Sequence, residues 1–430
     1  MAVKEPNQKS LAKVYHSDLW GLREQKYGIL SEKDVSSTKW TPLHPVKPNY
    51  FFFPQATDLQ AEYENGWKLT EAMPLNVTGF QSHRDPFAIA FEKQTIVDRM
   101  KRLREKKYSD DEIREEFNIP DNRDWKLANA RAEIRASKDW ESAIIRCLYR
   151  PFDWRWCHFS TVTMDYPRTE LIESMAGKEN LALNVCRQTK APKWQHALVS
   201  DTPAPAVFVE LKDGSNVFPL YLYPDSQQHS FLNQRQTNFS EKFIAYLKHK
   251  LKLEWEDSNK GDLRRTIGPE DVFAYAYAVF NAPGFQRRYA EFLKRDFPRL
   301  PLTSDIKLFA ALAAKGQELI EVHLMRSSGL DDFITEFPVK GDNVIEKAAY
   351  TPENQRVWIN AQQYFGGVPQ IIWESLVGGY QVCEKWLKDR KGRKLVYDDL
   401  QHWQRIVVVI KQATRLTKEI DALIPGWPLP

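Results

Sequence analysis

The stretch Tyr149-Arg-Pro-Phe152-Asp153-Trp154-Arg155-Trp156 decides how the chain is read. Phe152, Trp154 and Trp156 alternate with Asp153 and Arg155, a period of two that suits one buried face of a strand. Upstream the period is helical. Ile96, Val97, Met100 and Leu103 make one apolar stripe, and Arg99, Lys101, Arg102, Arg104, Lys106 and Lys107 mostly lie off it. Ser109-Asp-Asp-Glu112 is a capping box opening another helix, and residues 124–136 and 137–148 read as two more. Nearer the N-terminus, Ser17-Asp18 caps a short helix through Leu30. Pro42, Pro45, Pro48 and Pro54 mark an irregular stretch, and Asp85 to Phe91 alternates like a half-buried strand.

Downstream of Trp156, residues 167–175 read as a short helix stopped by Gly177. Residues 181–185, 196–199, 206–211 and 217–223 read as strands, with a turn at Asp213-Gly214. From residue 236 the helical period returns, over 240–250, 269–281, 284–296 and 304–326. A small β insertion is expected near 344–360, then a long helix from about Asp398 that Pro425 and Pro428 end. The expected class is α+β, a β-rich centre flanked by helical N- and C-terminal parts. Its regions are 1–150 (mixed α/β), 151–235 (β-rich) and 236–430 (mainly helical).

The chain has 430 residues, 42% hydrophobic and 27% charged, which excludes disorder as the main state. Its longest apolar run, Val272 to Phe280, is far short of the roughly 20 residues that span a bilayer. The first residues lack a signal-peptide apolar core, and Cys147, Cys157, Cys186 and Cys383 form no Cys-x-x-Cys pair. Reduced core cysteines in a cytoplasmic protein are the expectation. Phosphate-loop, dinucleotide, His-Glu-x-x-His, Gly-x-Ser-x-Gly and S-adenosylmethionine motifs are absent, so no catalytic or metal-binding residue is assigned. One weak pattern remains: Asp201 followed by Glu210-Leu-Lys212 is how a Mg²⁺-dependent nuclease places metal ligands and a lysine, or simply the polar face of a strand.

Net charge is only +4, but Lys and Arg cluster at 99–107 and 385–394. The first block reads mainly as a solvated helix face. Three stretches carry side chains that suit nucleic acid. Arg187, Gln188, Lys190, Lys193, Trp194 and Gln195 lie in a loop between strands: Arg and Lys pair with guanine, Gln with adenine, and a Trp stacks on a base or folds into the core. Gln234 and Arg235 belong to a run rich in Asn, Gln and Arg that either reads base edges or links two elements. Lys388, Arg390, Lys391, Arg393 and Lys394 end a helix, where cations complement the dipole or hold phosphates.

Five strings, in order, resemble a known family: Ser17-Asp-Leu-Trp-Gly-Leu-Arg-Glu-Gln-Lys-Tyr27, Tyr149 to Trp156, Phe218-Pro-Leu-Tyr-Leu-Tyr-Pro224, Asp271-Val-Phe-Ala-Tyr275 and Gly379-Tyr-Gln-Val-Cys-Glu-Lys-Trp-Leu387. They are similar to the C-terminal specificity region of type ISP restriction–modification enzymes. The resemblance implies a non-catalytic module that recognises double-stranded DNA. It also implies an adenine-N6 methyltransferase domain as partner, in cis or in trans, with S-adenosylmethionine bound there and no cofactor on this chain. Val3-Lys-Glu-Pro6 and Ala12-Lys-Val-Tyr15 are similar to the end of the methyltransferase sheet and the strand after it. Recognition loops differ among members with different targets, so no base-reading residue is carried over. The rival readings are the metal-dependent nuclease and a protein-binding scaffold of a DNA-modification complex.

Overall fold

A computed structural model of the chain describes residues 12–46, 50–54, 57–223 and 235–430. It forms two compact units, Met1–Ala61 and Glu62–Pro430. In the first, strands Val14–His16 and Thr41–Leu43 pair antiparallel, and helix Arg23–Glu32 buries no side chain. That helix starts beyond the expected Ser17-Asp18 cap: Gln25 Oε1 accepts from the Leu22 amide instead, at 2.9 Å.

The second unit contains, among its N-terminal elements, strands β1 (Val77–Thr78) and β2 (Ile89–Ala90). Helices α1 (Lys93–Arg104), α2 (Asp110–Phe117) and α3 (Leu127–Ala136) follow. The Ser109 capping box forms as expected, its Oγ accepting from the Glu112 amide. Ile96, Met100, Leu103, Ile113 and Ile134 close a core among the three helices. Buried Arg131 ties them, donating to the carbonyls of Leu103, Glu105 and Tyr108 and pairing with Asp110.

Strands β3 (Ile144–Arg150) and β4 (Asp153–His158) make an antiparallel hairpin with β2 on the far edge of β4. The helix expected over 137–148 is therefore corrected to a short 3₁₀ turn, Trp140–Ala143, and a strand. Ile144 and Ile145 are β-branched, and pairing of Arg146 with Trp156 and Leu148 with Trp154 overrides weak helical propensity. The expected strand over Asp85–Phe91 is also shortened. Pro86 starts a helical turn, Asp85–Ala88, and only Ile89–Ala90 remains extended.

A second antiparallel sheet has the order β1, β7 (Asn216–Pro219), β5 (Ala182–Val185), β6 (Ala197–Ser200). The strand expected over 206–211 is absent. Pro203 and Pro205 remove ladder donors, and the stretch turns instead, with Phe208 and Val209 buried.

The C-terminal part includes helices α4 (Pro269–Asn281), α5 (Ile306–His323), α6 (Val382–Lys388) and α7 (Tyr397–Leu423), with a three-stranded meander over 349–365 before α6. Val272 to Phe280, the apolar run in the sequence, is buried on every side of α4. Gly316 of α5 lies so near the Ala274 carbonyl that a Cβ would meet it at 1.9 Å, so glycine lets α4 and α5 touch along their backbones. One core draws side chains from Tyr63 to Leu429, across positions 150 and 235 where the sequence pattern changes. The class is α+β, as expected. Among the described residues no helix is long and apolar enough to cross a membrane.

Candidate nucleic-acid interface

The described residues form an open cleft of about 1230 Å³, above the roughly 300–1,000 Å³ of small-molecule pockets. One wall is the loop between β5 and β6, carrying Lys190, Lys193 and Gln195; the turn at 210–213 brings Leu211 and Lys212. A second wall is the segment 371–380, and Lys385 of α6 also lines the cleft. Lys190, Lys193 and Lys212 make no ion pair among the described residues, and Lys190 and Lys193 are exposed.

The loop is irregular yet fixed. Asp213 Oδ2 accepts from Thr189 Oγ1 at 2.8 Å and from the Lys190 amide at 3.2 Å. Thr189 Oγ1 accepts from the Ala191 amide, and His196 Nδ1 from that of Gln195. His196 is buried 3.6 Å from Glu210; burial lowers its pKa although Glu210 opposes the shift. The Gly379 amide donates to the Val209 carbonyl at 2.8 Å, tying segment 371–380 to the chain just before the turn at 210–213.

The sequence-predicted residues separate in space. Lys190, Lys193 and Gln195 face the cleft. Arg187 and Gln188 are exposed beside it, Arg187 pairing with Asp296 at 3.1 Å. Trp194 is only 2% exposed and packs in the main core near His196, so the stacking role is corrected: its flat, apolar ring anchors the loop from beneath. Arg235 lies elsewhere, over the Tyr221 ring and bonded to Asn259 Oδ1 at 2.6 Å, while Gln234 falls outside the described residues.

The basic block at 385–394 is likewise divided. Lys391 and Lys394 are exposed around Gly392, whose φ of 80° makes the turn. Lys388 pairs with Glu384 at 2.8 Å, and Arg393 lies over Phe91, 3.6 Å from Glu92. Arg390 is buried, and its expected phosphate contact is corrected to an interior ion pair. It donates to Asp153 Oδ1 at 2.8 Å and stacks on Trp386. Asp153 also accepts from Arg155, 2.7 Å away. Burial would raise the Asp153 carboxyl, but the two guanidiniums outweigh it and hold it at about 2. In the 99–107 block, Arg99 and Arg104 donate to backbone carbonyls and Arg102 pairs with Glu116, which leaves Lys101 and Lys106 exposed.

The nuclease pattern is not assembled. Asp201 pairs with Arg326 in a separate cavity, whereas Glu210 and Lys212 line the main cleft. No cluster of three metal-ligating side chains occurs among the described residues. Sequence reasoning missed the wall at 370–376, where Ile371 is 71% exposed; two adjacent isoleucines before Trp373 were the available signal.

No curated protein matches the chain. Solved structures do. The Type ISP restriction–modification enzyme LlaGI, as a nuclease-deletion mutant in complex with a DNA substrate mimic, superposes with a TM-score of 0.65 at 17% identity, covering 95% of this chain and 33% of that one. The DrdV–DNA complex gives 0.65 at 18% identity, covering 92% and 42%. The ATP-dependent Type ISP enzyme LlaBIII bound to DNA gives 0.64 at 16%, covering 94% and 26%. The chain thus shares a fold with a part, under half, of each longer protein. The family model described as the Type ISP C-terminal specificity domain matches residues 71–419, and the chain belongs to that family.

Proposed function

We propose that this chain is the sequence-reading module of a restriction–modification enzyme and grips double-stranded DNA in the cleft between the β5–β6 loop and the 371–380 wall. The observation that carries this is the placing at one open cleft of Lys190, Lys193 and Gln195 on a fixed loop and Lys212 on the neighbouring turn, the three lysines making no ion pair among the described residues. Lysines hold phosphates and set the register of the duplex; amide and carboxylate side chains within that register meet base edges. The DNA-bound state of LlaGI, DrdV and LlaBIII supports the reading. The module itself breaks no bond. An adenine-N6 methyltransferase domain, in cis or in trans, flips the adenine and uses S-adenosylmethionine held on that domain.

The test is fluorescence anisotropy with a randomised duplex pool, titrated from low to physiological salt, then selection and sequencing of bound DNA. Binding should weaken steeply with salt and enrich one short motif. Absence of binding at low salt would overturn the proposal, and salt-insensitive capture of a protein would favour a scaffold.

A further inference from the structure

The cleft's second wall has a composition that phosphate binding does not explain. Glu374 is exposed there, with Gln370 Nε2 bonded to its Oε1 at 2.7 Å. It has no cationic partner among the described residues. Around it, Ile371 is 71% exposed and Leu376 48%, and Leu211, from the turn at 210–213, is 59% exposed. Single exposed apolar side chains are ordinary. Three such side chains lining one cleft together with unpaired lysines form a contact surface. The segment is firmly mounted. Ile372 and Trp373 are buried behind it, Trp373 stacks on Tyr350, and the Gly379 amide bonds to the Val209 carbonyl.

A carboxylate in a cleft built for duplex DNA is repelled by phosphate. It gains only where it accepts from an exocyclic amine, which in the major groove means cytosine N4 or adenine N6. Gln370 occupies one oxygen and orients the group, leaving the other to accept. Exposed aliphatic side chains beside it suit the thymine methyl or the face of a base.

Resting on the cleft being the DNA site, we infer that residues 370–376 are a second base-reading element, in which Glu374 accepts from a cytosine or adenine amino group and Ile371 and Leu376 pack on neighbouring bases. The lysine wall supplies grip and one reading side chain, Gln195; this wall adds discrimination.

The experiment selects bound sequences from a randomised duplex pool with the full chain, its Glu374→Gln variant and its Ile371→Ala variant, after thermal melts establish equal folding. Wild type must first enrich a motif. Glu374→Gln should then cut discrimination at one motif position by roughly 5- to 100-fold, with any new preference toward adenine, while low-salt affinity for random duplex stays within about twofold. Ile371→Ala should relax an adjacent position. Unchanged motifs in both variants would overturn this inference and leave the cleft reading standing, as would a uniform change across all sequences. A wild type that binds no duplex overturns both and makes the apolar trio a protein-docking patch.

Discussion

Removing the Asp153 carboxylate is the sharpest way to ask whether Arg390 serves the interior or the DNA. Asp153 is 2% exposed and accepts from Arg390 and Arg155 at 2.8 and 2.7 Å. In Asp153→Ala, Arg155 keeps Asp389 at 3.3 Å, but buried Arg390 loses its counter-charge. Breaking a buried pair from one side costs about 3–5 kcal/mol. The stacking of Arg390 on Trp386 survives and limits the damage, so a loss near about 3 kcal/mol is expected. The pH dependence gives a similar size. The carboxyl stands at about 2 when folded against an ordinary 3.8, a gap worth about 2–3 kcal/mol. The folded value is depressed, so this contribution is complete above about pH 4 and is lost as pH falls through 2. Urea melts followed by Trp fluorescence read it as a midpoint fall of about 1 M for a slope near 3 kcal/mol/M. Adding Arg390→Met should recover part of the loss, because an apolar side chain tolerates the vacated interior. A loss below about 1 kcal/mol, or an unchanged midpoint with a weaker salt dependence of DNA binding, would refute the interior role.

Four further outcomes are expected. Lys190→Ala, Lys193→Ala and Lys212→Ala should each lower affinity equally for all duplexes and reduce the slope of log K against log salt by about 0.9; an unchanged slope removes that lysine from the phosphate contacts. Burial pushes His158 and His323 down to about 4 from an ordinary 6.5, so stability should be complete above about pH 6.5 and fall steadily toward pH 4. A flat profile in that window contradicts their neutral burial. Asp213→Asn should loosen the loop, weakening motif discrimination while low-salt binding to random duplex holds or tightens, since a negative charge leaves the lysine wall; parallel loss of both would count against loop pinning. Incubation with Mg²⁺ should yield no cleavage, and cleavage abolished by Glu210→Ala would revive the nuclease reading.

Helices with a stripe and a terminal signal were legible. Lys93–Arg104, the helix after Ser109, Pro269–Asn281 and Tyr397–Leu423 fall within a few residues of their sequence-based bounds. Failures came where partners distant in sequence decide. Ile144–Arg150 becomes a strand because Asp153–His158 and Ile89–Ala90 complete its sheet, and a seven-residue mixed stretch carries no period strong enough to announce that. Arg390 and Lys391 are adjacent and equally basic, yet one is buried and one exposed. The difference is Asp153, 237 residues away, which no local pattern contains. At the candidate site, the residue mix at 187–195 raises the expectation of a base-reading loop, but does not tell which side of the loop faces out. Trp194 turns inward because its indole fills the core beneath Lys193 and Gln195.

That inward turn bears on how an irregular loop can recognise sequence at all. A loop that orders only on binding loses affinity to the entropy of ordering, roughly 0.5–1.5 kcal/mol per immobilised long side chain and more for backbone. Here the backbone is ordered in advance. Asp213 and Thr189 hold the amides of Lys190 and Ala191, His196 holds that of Gln195, and Trp194 fastens the middle to the core. Lys190 and Lys193 are exposed and make no ion pair among the described residues, which suits contacts to phosphates that need charge more than exact geometry. On the proposed reading a fixed backbone separates two tasks: the lysines set register, and discrimination falls to amide and carboxylate side chains mounted on the walls. Gln195 on one wall and Glu374, steadied by Gln370, on the other are placed for it. On the proposed reading, a target change requires substitutions at a few exposed positions on these two walls, and leaves untouched the buried Asp153–Arg390 pair and the backbone bond from Gly379 to Val209.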